Sequence, residues 1–202
     1  MTKNNKIENY FNTSKTTYYS LLKSSEKWKE LFIEKESIVS FVLSFFSISL
    51  LYYFCGTNFG EEFNELMRGV SIEISMALIG LLGFTISGLA IFTGTITNKL
   101  VKNIDDDKKG NSIINILYSF YFIGGIDACE IFIFIVIHAL SYSSKPFCAI
   151  ATYIIFFVTI YLFLFIILYS VSLLGTCINL FLVSYKYYLE EIKDNDKKEG
   201  EK

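Results

Sequence analysis

Four stretches of this chain are each long and apolar enough to cross a lipid bilayer, and that excludes most of the folds open to a polypeptide of its length. A hydrocarbon core roughly 30 Å thick takes about 17 to 25 apolar residues as a helix. Runs that meet this lie at about 38–54, 74–96, 113–140 and 147–170. The rest of the composition agrees: of 202 residues, 52% are hydrophobic, 17% are aromatic and one is Pro, outside the range of ordinary soluble domains. The expected fold class is all-α, an integral membrane four-helix bundle with an N-terminal amphipathic helix and a long fourth helix extending into the cytoplasm. Residues 1–36 read as a cytoplasmic N-terminal segment, 37–170 as the four-span domain, and 171–202 as a helix extension with a charged tail. Because a long polar segment precedes the first span, that span is expected to stay as an anchor rather than act as a cleaved signal peptide.

Orientation follows from the 18 Lys and Arg, since short cytoplasmic segments hold positive charge. Seven precede the first span (Lys3, Lys6, Lys15, Lys23, Lys27, Lys29, Lys35). Lys99, Lys102, Lys108 and Lys109 fill the second connection, and Lys186, Lys193, Lys197, Lys198 and Lys202 the tail. Only Arg68 and Lys145 remain for the other two connections. Both termini are therefore expected in the cytoplasm, with a bacterial inner (plasma) membrane as the host. A net charge of -2 with mixed signs gives no argument for nucleic acid.

Within this frame the third run carries the most demanding residues. Asp127 and Glu130 stand near its middle, three residues apart and so on one helical face, with His138 near the same direction three turns on. An ionised carboxylate at membrane depth costs about 2.5 to 3.5 kcal/mol on insertion scales, and such groups face protein or water. Desolvation and mutual repulsion both act against a doubly charged pair. No Lys or Arg is expected inside a span to neutralise it. Counting depth along alternating spans puts Ser44, Ser47, Thr85, Ser87 and Thr159 at about the level of Asp127. Two readings follow: a hydrogen-bonded clamp that keeps four helices in register, at around 0.6 kcal/mol per bond, or a cation or proton path.

The other spans carry packing signals. In the first, Ser37, Ser40, Ser44 and Ser47 recur at three- and four-residue spacing and line one face, for close packing or for a wet path. Small residues in the second, Gly80, Gly83, Ser87, Ala90 and Gly94, recur as a heptad, which reads as the packing seam of the bundle or of an oligomer, with pore lining as the alternative. From Phe147 the chain stays apolar to Val183, 37 residues or roughly 55 Å of helix. One long helix is expected, projecting into the cytoplasm or bending near Gly175, with Leu173, Leu174, Ile178, Phe181 and Leu182 needing cover. The N-terminal helix of about residues 18–32 could supply it, or lie on the membrane with Trp28 at headgroup level.

Catalytic signatures are missing. A single His and four scattered Cys offer no nucleophile and base, and no Gly-rich phosphate loop appears, so no enzyme, cofactor or metal is expected. Asp105, Asp106 and Asp107 match no calcium loop and read as a solvated turn. Cys55 and Cys148 fall at the outer ends of spans, where a disulfide could form. The leading functional expectation is a homo-oligomeric ion-permeable pore or membrane effector with acids at mid-membrane. The alternative is a non-conducting scaffold that recruits a cytosolic protein through its C-terminal helix.

Overall fold

The computed structural model describes residues 27–55, 61–95, 110–142 and 149–200, and every regular element among them is helical. A 3-10 segment, Lys27–Lys29, leads into one α-helical turn, Glu30–Ile33, and the two together form the N-terminal turn. Four long helices follow: α1 (Lys35–Cys55), α2 (Glu61–Thr95), α3 (Gly110–Leu140) and α4 (Ala149–Gly200). Each holds a segment long and apolar enough to cross a membrane: Lys35–Phe54, Phe63–Gly94, Asn115–Leu140 and Ile150–Val183. Residues 1–26, the Asp105–Asp107 triplet, Pro146, Cys148 and the side chain of Cys55 lie outside the described residues.

Two boundaries differ from the sequence reading. The stretch before residue 74, counted there as a connection that holds Arg68, is helical from Glu61. Glu61, Glu62 and Glu65 occupy the first turns, where the helix dipole favours negative charge. Phe63 and Met67, one turn apart, give that extension an inner side, and Met67 is buried. Arg68 is thereby carried into α2 rather than left in a connection, inside the Phe63–Gly94 segment. At the other end of the chain α4 runs 52 residues without interruption, roughly 78 Å, passing through Gly175 as regular helix.

Of the expected N-terminal helix only residues 27–32 are described, and there Trp28 is 50% and Phe32 67% exposed, while Lys27 is buried. Lys27 is held inward by an ion pair with Glu30 at 2.5 Å. Glu34 then adopts extended backbone (φ -69°, ψ 158°) and separates the turn from α1. The Ser37 hydroxyl donates back across that break to the Leu31 carbonyl at 2.7 Å.

The helices pack as a row. α2 lies on α3, α3 on α4, and α4 on α1, whereas the consecutive helices α1 and α2 share no comparable interface. Buried positions on α3 form one stripe, Ile116, Ser119, Phe120, Ile123, Asp127, Glu130 and Phe134, at the three- and four-residue steps of a helix face. Leu78 from α2 and Phe165 and Ile166 from α4 complete the apolar core around it. The buried face of α1 is all serine among its described residues: Ser37, Ser40 and Ser44. Such a seam lets backbones approach closely. Phe41 against Phe157 and Tyr52 against Tyr153 flank it, with ring centroids 5.5 and 5.8 Å apart. Most large apolar side chains point outward, which is the arrangement a hydrocarbon solvent favours.

Candidate functional site: a buried acid pair

The α3 stripe explains how Asp127 and Glu130 come to be where they are. Core-facing positions along it alternate through Phe120, Ile123, Asp127, Glu130 and Phe134, so two carboxylates occupy sites that the periodicity reserves for apolar groups. Asp127 is 1% exposed and Glu130 0%. All four carboxylate oxygens lack a hydrogen-bond partner among the described residues. In folded proteins buried polar atoms are nearly always satisfied, so two adjacent orphaned carboxyls point to a role other than packing.

Neighbouring helices place hydroxyls at this level without turning them toward the acids. Phe122 on α3 touches both Phe165 and Tyr169 on α4, at 6.5 and 6.0 Å between centroids. Eight residues along each antiparallel helix from that contact bring Glu130 and Thr159 to about the same height. Thr159 is buried, but its hydroxyl donates to Ile155 O at 3.0 Å and Phe156 O at 3.1 Å. On α1 Ser44 is buried and donates to Ser40 O at 2.6 Å, while Ser47, half-buried, donates to Leu43 O at 2.9 Å. On α2 buried Thr85 donates to Leu81 O at 2.9 Å, and exposed Ser87 to Gly83 O at 2.8 Å. A hydroxyl has one proton to give, and each of these gives it to its own helix. An ionised carboxylate only accepts, so none of these bonds serves the pair.

His138 belongs to a different cluster, three turns from Asp127. Its Nδ1 donates to the Arg68 carbonyl at 3.1 Å and lies 3.3 Å from the Ser71 hydroxyl. The His138 ring stands edge-on to Tyr142 at 5.4 Å. The Arg68 guanidinium covers the Tyr142 ring at 4.1 Å and donates to Ser141 O at 3.3 Å. These contacts tie the start of α2 to the end of α3 and leave the Arg68 guanidinium about 16 Å along α3 from Glu130 and about 21 Å from Asp127.

The heptad of small residues faces away from the rest of the chain. Gly80, Gly83, Ser87, Ala90 and Gly94 are all exposed, and a Cβ added at Gly80, Gly83 or Gly94 would meet nothing within 4 Å. The close approach of α2 to α3 is made instead at Gly88, where an added Cβ would lie 3.2 Å from the Phe120 ring.

A second polar region went unread in the sequence. At the end of the row where α1 and α3 begin, a cavity of about 360 Å³ is walled by the N-terminal turn, α3 and α4. The Tyr169 hydroxyl donates to Glu30 Oε2 at 2.5 Å there. The Tyr161 hydroxyl donates to the Leu31 carbonyl and lies 2.9 Å from the Ser37 hydroxyl. The available signal was Tyr161 and Tyr169, two polar-tipped rings about two turns apart in a helix otherwise rich in Phe, Ile and Leu. Among the described residues no three His, Cys, Asp or Glu converge as metal ligands. No protein family, curated protein or solved structure matches the chain.

Proposed function

We propose that the chain is a multi-pass inner-membrane protein that passes cations or protons, with Asp127 and Glu130 as the groups that bind them. The observation that carries this is the four carboxylate oxygens, without a hydrogen-bond partner among the described residues, at the middle of the Asn115–Leu140 segment. Each acid opposes membrane insertion by about 2.5 to 3.5 kcal/mol, and intramembrane acids mark ion and proton pathways. A transient proton or cation supplies the positive partner that the surrounding hydroxyls and the distant Arg68 do not. Because both acids are enclosed by α3 and its neighbours, the path runs within one protomer rather than around an axis shared by several.

In this reading both termini are cytoplasmic, the four helices form the membrane domain, and the last part of α4 extends into the cytoplasm. A thiol introduced at Ser143 should then react with an impermeant reagent from outside intact cells, and one at Lys108 should not. The reverse pattern would overturn the orientation. The outward heptad of Gly80, Gly83, Ser87, Ala90 and Gly94 is the face on which a second copy packs, since small residues bring helices together where lipid gives no hydrophobic drive.

Purified protein in liposomes should conduct cations. Asp127→Asn with Glu130→Gln should lower that flux by roughly tenfold or more, the effect of removing about 1.4 kcal/mol of ion binding. Folded protein that passes nothing sinks the proposal. That outcome would leave a scaffold reading, which one observation favours: Ile178, Phe181 and Leu182 on α4 are exposed beyond the core, an apolar surface that fits a cytosolic partner.

A further inference from the structure

Between the glutamate-lined cavity and the acid pair stands a column of rings. Phe122 lies 6.5 Å from Phe165, Phe165 lies 5.3 Å from Tyr169, and Tyr161 stacks on Phe165 at 6.4 Å. Phe165 is completely buried, and Tyr169 and Ser119 form the deep end of the cavity. From Ser119 to Asp127 is eight residues, about 12 Å along α3, and the rings together with Ile123 fill that distance.

Both tyrosines of the column are held by one element. The N-terminal turn offers Glu30 Oε2 to the Tyr169 hydroxyl and the Leu31 carbonyl to the Tyr161 hydroxyl, and Lys27 fixes Glu30 from its other oxygen at 2.5 Å. These bonds link residues more than a hundred positions apart and make the position of the turn and the position of the rings one variable. Glu30, Glu34 and Glu36 at the cavity outnumber Lys27, so the local field gathers cations at its mouth.

We propose that the Phe122, Phe165 and Tyr169 rings are a gate between this cavity and the acid pair, and that the N-terminal turn is the latch that keeps it shut. The proposal rests on the reading of Asp127 and Glu130 as a cation path. Withdrawal of the turn frees the Tyr169 hydroxyl to follow water into the cavity, and its ring then leaves Phe122 and Phe165 without their third member. Closed, the column is dry and an ion at the cavity cannot reach the carboxylates. Open, the cavity and the acids share water.

Water access tests this apart from conduction. In full-length protein with Cys55, Cys129, Cys148 and Cys177 changed to Ser, an Ile123→Cys thiol sits inside the column, past Tyr169, and is probed with a charged methanethiosulfonate from the cavity side. It should react slowly on the otherwise unaltered chain. Tyr169→Phe keeps the ring and removes the latch bond, and Glu30→Gln removes the charge that accepts it. Each should speed labelling about tenfold, the effect of losing a hydrogen bond to a charged group. The two combined should add little, because both break one contact. Phe165→Ala removes the gate itself and should expose the thiol whatever the latch does. Unchanged labelling in folded Tyr169→Phe and Glu30→Gln overturns the latch, and unchanged labelling in Phe165→Ala overturns the gate. Faster labelling without cation flux supports the gate and refutes the conduction on which it rests. Flux that rises while labelling stays fixed overturns the gate alone.

Discussion

Replacing Glu130 by leucine is expected to make the protein more stable and to stop cation flux. The side chain is 0% exposed on the core stripe of α3, between Ile123 and Phe134, and neither carboxyl oxygen has a hydrogen-bond partner among the described residues. A buried polar atom left unsatisfied costs about 1 to 3 kcal/mol, and more when charged. Leucine is larger by only about one methylene, so no cavity forms and overpacking offsets little of the gain. Buried ionic groups replaced by well-packed apolar ones of similar size are often neutral or stabilising. We expect about 2 kcal/mol, read as a higher unfolding temperature in detergent. An acid retained for packing gives the opposite sign, because its replacement would break a bond. A fall in unfolding temperature would therefore show a structural partner and remove the main argument for an ion path.

A second large effect is expected at Ser40. This residue is fully buried, its hydroxyl donates to Glu36 O at 2.7 Å on the same helix, and it stands in the serine face by which α1 meets α4. Ser40→Ala keeps the approach and should be tolerated. Ser40→Phe forces a ring into a helix contact that admits only small side chains, where overpacking costs about 1 to 3 kcal/mol and sometimes more. Since α1 has no comparable interface with α2 among the described residues, its place in the row depends on α4. Cysteines at Phe41→Cys and Phe157→Cys, whose rings are in contact at 5.5 Å, should be bridged readily by a short bifunctional thiol reagent in Ser40→Ala and at least about tenfold more slowly in Ser40→Phe. Equal rates would mean that the seam is loose.

Particular residues show why some of this was legible in advance. The four apolar runs and the shared face of Asp127 and Glu130 follow from counting, because helix geometry fixes which residues point together and bilayer thickness fixes how many are needed. The same counting found the heptad of Gly80, Gly83, Ser87, Ala90 and Gly94, but periodicity does not say what a face meets. In the protomer that face is exterior, and the approach to α3 falls one residue further, at Gly88. Depth counting put hydroxyls near the acids, yet it could not tell whether they would donate across to a neighbour. Thr159, Ser44 and Thr85 bond their own helices, a partner always within reach four residues back. His138 seemed to extend the acid face, and Arg68 and Ser71 on α2 hold it elsewhere.

By itself, then, the sequence determined that the chain is helical, that four of its helices are long and apolar enough to cross a membrane, and that one of them carries two acids on a single face. Those properties are local: each depends on composition and on a repeat of 3.6 residues. The tertiary structure decided that the row runs α2, α3, α4, α1 and that the acid face turns inward with no donor opposite among the described residues. It also set the N-terminal turn against Tyr161 and Tyr169, more than a hundred residues away. Those properties depend on which faces meet, and in a chain whose exterior is as apolar as its interior, hydrophobicity alone does not choose. Close contact at Gly88, the serine face of α1 and the hydrogen bonds of two tyrosines make that choice.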